Sequence, residues 1–387
     1  MEPSRWFAIG QADRSEAKPG AVAADRAMAG DDAKLLIVFC SAAQDLAAVV
    51  GQIRDRAGPV PLIGCSTAGE IATDGPSEAS VVVAAFGGAG FSVATALAEG
   101  ASLDLRAAGA AVAGCLAEVE DRPHRVLLLL TDGLAGDQQE IVRGAYGVLG
   151  AGVPLVGGCA GDDLRMARTF QVYGDRVLTD AVVAAGIGSD APLGIGVHHG
   201  WRRVGEPMLV TSSRGNRVYT LDNEPALDVY LRRLALSDLA SSSAEELTRI
   251  ALTHPLGLGR RAGEEQVRFI GGGDFAERSL TCIAEVPQGA LVWLMEGDDA
   301  SVLNATDAAC RDSLLALDGR PAVGVLVFDC IARRGVLGQE GIKTEIDRVA
   351  ASAGGAPVAG FYTYGEIART RGMSGFHNQT LVVLSIS

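Results

Sequence analysis

A pattern of apolar strand, polar loop, helix and second apolar strand occurs three times in this 387-residue chain. In each copy the second strand ends in small residues followed by a carboxylate. The first strand, helix and second strand of the three copies lie at residues 35–40, 45–57 and 61–71, at 126–133, 138–149 and 154–163, and at 323–330, 339–353 and 357–367. Continuous apolar strands joined by a helix of this length are typical of β-α-β units, whose two strands are parallel.

The repeat predicts an α/β fold of two related domains, built from β-α-β units with largely buried sheets. The copies are unevenly spaced, which argues against a solenoid and indicates one large insertion between the second and third copies. At ~150 residues per domain, the length fits two or three domains. We expect an N-terminal extension at 1–30, a first domain at 31–220, and a second domain at 221–387 that begins with a helix near 225–234.

Each second strand ends in a glycine followed by a carboxylate, in Gly69-Glu70, in Gly161-Asp162 and in Gly365-Glu366. Ligands of open α/β sheets bind beyond the carboxyl ends of the strands, where small residues allow close approach to the backbone. The repeated motif therefore favours a ligand site at these ends. The alternative is structural, because glycine permits a tight turn and an acidic side chain can cap the next helix.

The composition excludes some classes of protein. Lys and Arg number 33 and Asp and Glu 47, so the formal charge is −14 and nucleic-acid binding is not expected. The seven cysteines are scattered without a Cys-x-x-Cys pair, which argues against a disulfide framework. Residues 79–98 are uncharged, but central glycines predict a buried β-hairpin rather than a membrane helix. With no signal peptide at the N-terminus, we expect a soluble, cytoplasmic protein without membrane insertion.

Several motifs resemble those of a known family. GCSTAGEI (64–71) and GGCAGDD (157–163) are similar to signatures of the FIST N domain. Signatures of the FIST C domain are similar to LDNEPALDVYL (221–231), HPLG (254–257), GFYTYGEIA (360–368) and FHNQT (376–380). The resemblance implies a bacterial sensory protein that binds a small ligand and regulates a signalling partner, such as a histidine kinase or a cyclic-di-GMP enzyme. The chain resembles in particular the family's stand-alone nitric-oxide-sensing haem proteins (NosP).

This resemblance makes haem a candidate cofactor, which needs an axial donor, an apolar cleft and a cation for the propionates. His198 and His199 end a strand-like run just before Trp201 and two arginines, so His199 and His198 are the first candidates for the axial ligand. His254 is the next candidate. The alternative is that these histidines are hydrogen-bonded structural residues at strand ends.

We expect the ligand to bind in a cleft between the two halves and to shift an equilibrium between two arrangements. The predicted ligand-binding residues come from all three copies: Cys65, Ser66, Thr67, Gly69 and Glu70; Cys159 and Asp162; and Phe361, Tyr362, Tyr364 and Glu366. Sensing without haem, of a metabolite or amino acid, is the main alternative. We do not expect an enzyme, although Cys65 or Cys159 on a tight turn leaves a thiol nucleophile open. An interaction scaffold and a homo-oligomer also remain open.

Overall fold

A computed structural model describes residues 4–236, 244–259, 265–370 and 375–387. Within them, each copy of the repeat forms a β-α-β unit, and we call these units 1, 2 and 3 in chain order. In each unit the two predicted strands are adjacent and parallel. The α/β class, the parallel pairs and the burial of the sheets are therefore confirmed.

The described residues form one six-stranded sheet for each unit. Sheet 1 has the order β1 (Trp6–Asp13), β6 (Ser80–Gly87), β2 (Ala33–Ser41), β3 (Leu62–Thr67), β10 (Gln171–Tyr173) and β11 (Arg176–Leu178). Sheet 2 has the order β25 (Phe376–His377), β24 (Glu366–Arg369), β9 (Leu155–Cys159), β8 (His124–Thr131), β12 (Ala181–Ser189) and β7 (Phe91–Glu99). Sheet 3 has the order β13 (Leu193–His198), β26 (Leu381–Ile386), β22 (Gly324–Cys330), β23 (Val358–Thr363), β4 (Glu70–Ala72) and β5 (Gly75–Ser77).

The three units exchange hairpins in a closed cycle. The hairpin β4–β5 follows the second strand of unit 1, but it pairs with β23 of unit 3. The hairpin β10–β11 of unit 2 pairs with β3 of unit 1, and β24–β25 of unit 3 pairs with β9 of unit 2. Each sheet is therefore completed by a hairpin from another unit, so the units are interlocked.

Both faces of each sheet are buried, which explains why the strands are continuously apolar in sequence. On β2, Leu35, Ile37 and Phe39 belong to a core to which all three sheets contribute. Leu36 and Val38 belong to a second cluster on the opposite face, beneath the helices. Successive side chains of a strand point to opposite faces of the sheet, so β2 contributes residues to both clusters.

Phenylalanine rings from sheets 1 and 3 meet in the central core. Phe39 stacks on Phe361 with ring centroids 4.9 Å apart, and Phe328 meets Phe361 edge-on at 5.9 Å. Such pairs add ~0.5–1.5 kcal/mol to the free energy of burial. The contact joins the strand ends of units 1 and 3.

Two helices cover the outer face of each sheet: α1 (Pro19–Ala27) and α2 (Leu46–Ala57) on sheet 1, α3 (Leu105–Ala113) and α4 (Gln138–Leu149) on sheet 2, and α7 (Asp299–Leu315) and α8 (Ile331–Ser352) on sheet 3. Asp45 and Asp137 hold equivalent positions in units 1 and 2, where their side chains cap α2 and α4. Helix α8 begins earlier than the sequence predicts and is interrupted at Gly338.

The insertion between units 2 and 3 forms a fourth, largely antiparallel sheet. Its strands lie in the order β18 (Gln266–Arg268), β17 (Leu256–Leu258), β21 (Leu291–Glu296), β14 (Arg202–Arg214), β15 (Arg217–Leu221), β20 (Ser279–Cys282) and β19 (Ile270–Asp274), with β16 (Glu224–Pro225) beside β15. Helix α5 (Ala226–Arg233) packs on this sheet with α6 (Ala244–Thr253). The predicted helix near 225–234 is thus present as α5.

In the apolar segment 79–98, β6 is buried and most of β7 is half-buried, and the hairpin predicted there is wrong. Its two halves are β6 in sheet 1 and β7 in sheet 2, and each pairs with strands other than its neighbour in sequence. The glycines between them let the chain cross from one sheet to the next. No helix in the described part of the chain is long and apolar enough to cross a membrane.

Residue 220, the predicted division between the domains, lies within β15 of the inserted sheet, where β15 pairs with β14 and β20. In the described part of the predicted extension, residues 4–30, β1 pairs with β6 and α1 packs on sheet 1. Arg5 also lies beside Ser387. The Arg5 guanidinium donates to the Ser387 carbonyl and, at 2.9 Å, to the Ser189 hydroxyl.

Candidate functional site

The carboxyl ends of the second strands of the three units converge. Backbone hydrogen bonds connect each end to the next unit in the cycle: Ala68 N to Tyr362 O at 3.0 Å, Gly161 N to Ser66 O at 3.0 Å, and Tyr364 N to Cys159 O at 3.1 Å. The glycine-rich motifs are therefore brought together, because each begins an exchanged hairpin. The predicted ligand-binding residues lie on or beside this junction.

Glu70 is fully buried at the start of its exchanged hairpin. The Thr67 hydroxyl donates to one carboxylate oxygen, and the Ser80 N–H and hydroxyl donate to the other at 3.0 and 2.7 Å. Burial raises the pKa of Glu70 to about 7, against the lowering effect of these hydrogen bonds. All of these partners are within the protein, so Glu70 holds its hairpin against β6.

Glu366 repeats this arrangement in unit 3. The Thr363 hydroxyl donates to it at 2.5 Å, and the Thr380 N–H and hydroxyl donate at 3.1 and 2.8 Å. Burial raises its pKa to about 7 as well. In unit 2 the equivalent residue, defined by strand pairing, is Gln171, whose side-chain carbonyl accepts from Ala181 N at 3.3 Å. The alignment of Asp162 with the two glutamates is therefore wrong.

Asp162 instead organises the loop that precedes its hairpin. Its carboxylate accepts three backbone N–H groups, those of residues 166, 167 and 168, at 2.7–2.9 Å. The Tyr364 hydroxyl donates to the same carboxylate at 2.5 Å. With its acceptor capacity largely used, Asp162 positions the neighbouring loop residues rather than presenting a free oxygen.

The remaining predicted residues lie within the core of the junction. Cys65, Cys159, Phe361 and Tyr362 are fully buried. Burial raises the pKa of both thiols above the ordinary range, which disfavours the nucleophilic thiolate form. Ser66 is also buried, and its hydroxyl donates to the Gly161 carbonyl at 2.7 Å.

A cavity of about 410 Å³, which we call the first cavity, opens beside this junction. Its walls come from all three units: Ser41, Ala68 and Glu78 from unit 1, Asp163 from unit 2, and Ile331 and Arg334 from unit 3. Ala68 and Asp163 are sequence neighbours of predicted residues. The volume is in the ~300–1,000 Å³ range of small-molecule sites.

Both signs of charge line the first cavity. Arg334 donates to the Ala68 carbonyl at 3.0 Å and pairs with Glu78, while its guanidinium lies 5.3 Å from the centroid of the Tyr362 ring. Asp163 accepts from the Ser41 hydroxyl at 3.1 Å. A carboxylate and a guanidinium held on different units can contact the two ends of one amphoteric molecule.

The amino end of helix α8 also lies at the first cavity, since Ile331 is its first residue. The capping residue Cys330 makes no side-chain hydrogen bond to the helix, and the first turn carries no acidic side chain. Helix amino ends attract anions because their N–H groups lack partners within the helix. This end therefore adds to the positive side of the cavity.

Family models match almost the whole chain. The FIST N domain matches residues 34–224, and the FIST C domain matches residues 226–369. This chain belongs to the FIST family. FIST domains are, in general, small-ligand-sensing domains of signal transduction. The first cavity of this FIST protein spans both matched segments, because Asp163 lies in one and Arg334 in the other.

The FIST protein is also similar to uncharacterised proteins of three organisms. One from Mycobacterium tuberculosis is 27% identical over 386 residues, which cover 95% of this chain and 94% of the relative. One from Mycobacterium bovis is 28% identical over 240 residues, 59% of each chain. One from Methanocaldococcus jannaschii is 27% identical over 154 residues, so the matched part spans only 30% of that longer relative.

The three histidines considered for haem lie apart from the first cavity. His198 pairs with Asp312 at 2.8 Å, and the His199 Nδ1 accepts from the backbone of Trp201 at 2.9 Å. The His254 Nδ1 lies 2.9 Å from the Thr253 hydroxyl. Within the described ranges, no three His, Cys, Asp or Glu side chains are grouped to hold a metal ion. Each of the three imidazoles therefore has a polar neighbour within hydrogen-bond distance.

A buried charge cluster beneath Tyr362 was not predicted. Arg333 donates to Asp329 at 2.8 Å and to Glu345, and all three side chains are fully buried. Burial and the neighbouring Glu345 raise the pKa of Asp329. The spacing of four residues between Asp329 and Arg333, across the junction of β22 and α8, is the signal that sequence analysis could have used.

Proposed function

We propose that this FIST protein senses a small amphoteric molecule, with a carboxylate and an ammonium group, in the first cavity. The observation that carries the proposal is the placement of Arg334 and Asp163, from different units, on the walls of one cavity. Arg334 and the amino end of α8 suit the carboxylate, and Asp163 suits the ammonium group. Amino acids have this chemistry.

The site also suits a sensor because its walls belong to interlocked units. A ligand that contacts Arg334 on α8 and Asp163 in the loop before β10 stabilises one relative position of these elements. A signalling partner that contacts only that arrangement would then respond to the ligand. We propose a histidine kinase or a cyclic-di-GMP enzyme as the partner, on the basis of the family resemblance.

A thermal-shift panel of the twenty amino acids, followed by calorimetry, tests the proposal. We expect at least one of them to stabilise the wild-type protein. Arg334→Gln and Asp163→Asn should each weaken its binding about 10- to 100-fold, since each removes a charge-assisted hydrogen bond. Asn tolerates the positive φ of 56° at residue 163, so the second change removes charge without backbone strain.

Arg311→Gln is the matched control, because Arg311 is an exposed arginine on α7 that does not line the first cavity. Its affinity for the same amino acid should equal that of the wild type. If no member of the panel binds, or if all three variants bind equally, the proposed site is incorrect.

Haem and nitric oxide sensing remain predictions from the resemblance. The absorption spectrum of the protein incubated with hemin tests them directly. An intense Soret band that is lost in a His199→Ala or His198→Ala variant would support the haem hypothesis.

We propose a sensor without enzymatic activity, a proposal supported by the burial of Cys65 and Cys159.

A further inference from the structure

A second cavity, of about 530 Å³, lies between unit 2 and the inserted sheet. Residues that line it include Asp137 and Gln138 at the start of α4, Thr281 and Glu285 from the insertion, and Tyr364 and Phe376 from unit 3. Arg334 and Asp163 are not among its walls, so this cavity is distinct from the first.

Gln138 carries an unsatisfied acceptor at this cavity. Its side chain is 97% buried, and its amide nitrogen donates to the carbonyls of Asp132 at 2.8 Å and Gly136 at 3.2 Å. These two acceptors fix the orientation of the amide. The amide oxygen has no hydrogen-bond partner among the described residues. A buried acceptor of this kind is costly unless a donor reaches it.

The charged side chains around the second cavity are mainly negative. Asp137 and Glu285 line it, and none of its described lining residues is an arginine or lysine. Arg143 lies behind Glu285 and pairs with it at 3.0 Å and with Glu140, while the Arg268 guanidinium donates to the Glu285 backbone carbonyl. The Asp137 carboxylate accepts the Gln139 N–H at 3.0 Å. Burial, with a further contribution from Glu285, raises the pKa of Asp137.

Aromatic side chains complete the wall. Phe376 is buried, and Tyr364 is held by its hydroxyl on Asp162 and on the Leu164 N–H at 2.8 Å. Aromatic rings attract cations by ~0.5–2 kcal/mol and pack well against other rings. The wall therefore combines hydrogen-bond acceptors, negative charge and aromatic surface.

We propose that the second cavity binds an organic cation, an ammonium group attached to an aromatic or apolar body. The ammonium group donates to the Asp137 carboxylate beside Gln138, and the body packs against the Tyr364 ring. The bound cation bridges α4 and the inserted sheet.

Calorimetric titration with 2-phenylethylammonium tests the site, with the neutral 2-phenylethanol as comparator. We expect saturable binding of the ammonium compound and at least ~10-fold weaker binding of the alcohol. Asp137→Asn, which keeps a good helix cap, should weaken ammonium binding about 10-fold or more. Glu285→Gln should also weaken it, and it provides a second test at a partly exposed position.

Asp45→Asn is the matched control, since it makes the same change at the equivalent helix cap of unit 1, outside the second cavity. It should bind the ammonium compound with wild-type affinity, as should Arg334→Gln of the first cavity. Failure of binding at millimolar concentration, equal binding of the alcohol, or unchanged affinity in Asp137→Asn would overturn the inference. Sensitivity to Arg334→Gln alone would assign the probe to the first cavity and also overturn it.

Discussion

One side chain at the start of each exchanged hairpin joins that hairpin to a neighbouring strand. Glu70, Glu366 and Gln171 occupy this position in the three units, and all are fully buried. Gln171 accepts from Ala181 N with its oxygen, and its amide group lies 3.5 Å from the Thr169 hydroxyl. In unit 2 an uncharged amide therefore makes the contacts that a carboxylate makes in units 1 and 3. Gln171 shows which contacts a glutamine could make in place of Glu70 or Glu366.

The two glutamates should make stability depend on pH. Burial raises the pKa of each from its ordinary value of 4.5 to about 7, so the folded state holds protons that the unfolded state releases. Each protonated glutamate contributes ~3 kcal/mol to the free energy of unfolding. This contribution is complete below pH 4.5 and is lost as the pH rises through 7. Urea unfolding at pH 5 should therefore give a larger free energy of unfolding than at pH 8.

The double variant Glu70→Gln/Glu366→Gln should fold and lose most of this dependence, because it reproduces the arrangement of Gln171. Glu340→Gln, on helix α8 and exposed, is the control and should keep the wild-type profile. A double variant with the wild-type pH profile would show that these carboxylates are already ionised in the folded protein at pH 5.

The cysteines provide a test of the thiol-enzyme alternative. All seven are buried, and burial raises the pKa of Cys65 and Cys159. We expect iodoacetamide at pH 7.5 to leave the native protein unlabelled within minutes and to label it fully in urea. Mass spectrometry identifies the modified sites. Rapid modification of Cys65 or Cys159 in the native state would favour the enzyme.

At the scale of elements, the strands and helices of the repeat could be predicted because each strand is apolar on both faces. The exchange of hairpins could not, since its pairing joins segments far apart in sequence. Alignment by the glycine-carboxylate motif placed Asp162 where Gln171 belongs, because unit 2 has a longer loop before its hairpin. The pairing of Gln171 with Cys65 is visible only in the folded sheet.

The residues predicted to bind the ligand are sequence neighbours of the residues that line the first cavity. Thr67 and Gly69 flank Ala68, and Asp162 precedes Asp163, but Ala68 and Asp163 are the residues that line the first cavity. Ser41 and Arg334 were missed, because the prediction considered only the ends of the second strands. The end of the first strand in units 1 and 3 contributes equally, as expected where parallel strands finish together.

The whole molecule is a single interlocked assembly of its units. The core between the sheets contains residues of all three units, and sheet 2 takes β24 and β25 from the C-terminal half. The FIST N segment alone would leave β13 without its partner β26, and β4 without β23. The two family segments are therefore not independent folding units.

A fragment of residues 1–224 should consequently fail to fold cooperatively. We expect it to bind a hydrophobic dye, because the inner faces of sheets 1 and 2 lose their cover from sheet 3. Mixing with a fragment of residues 225–387 during refolding should restore the full-length circular dichroism and urea transition. A fragment 1–224 that is monomeric, dye-free and cooperative in urea would contradict this interlocking.

The contact between Arg5 and the Ser387 carbonyl bears on where the chain could begin and still reach this fold. Because Arg5 and Ser387 lie side by side, a short linker that joined these two residues would close the chain between them into a ring. Because the hairpins pass from one unit to the next in a cycle, that ring has no natural starting unit. A circular permutant opened between units should thus reach the same architecture.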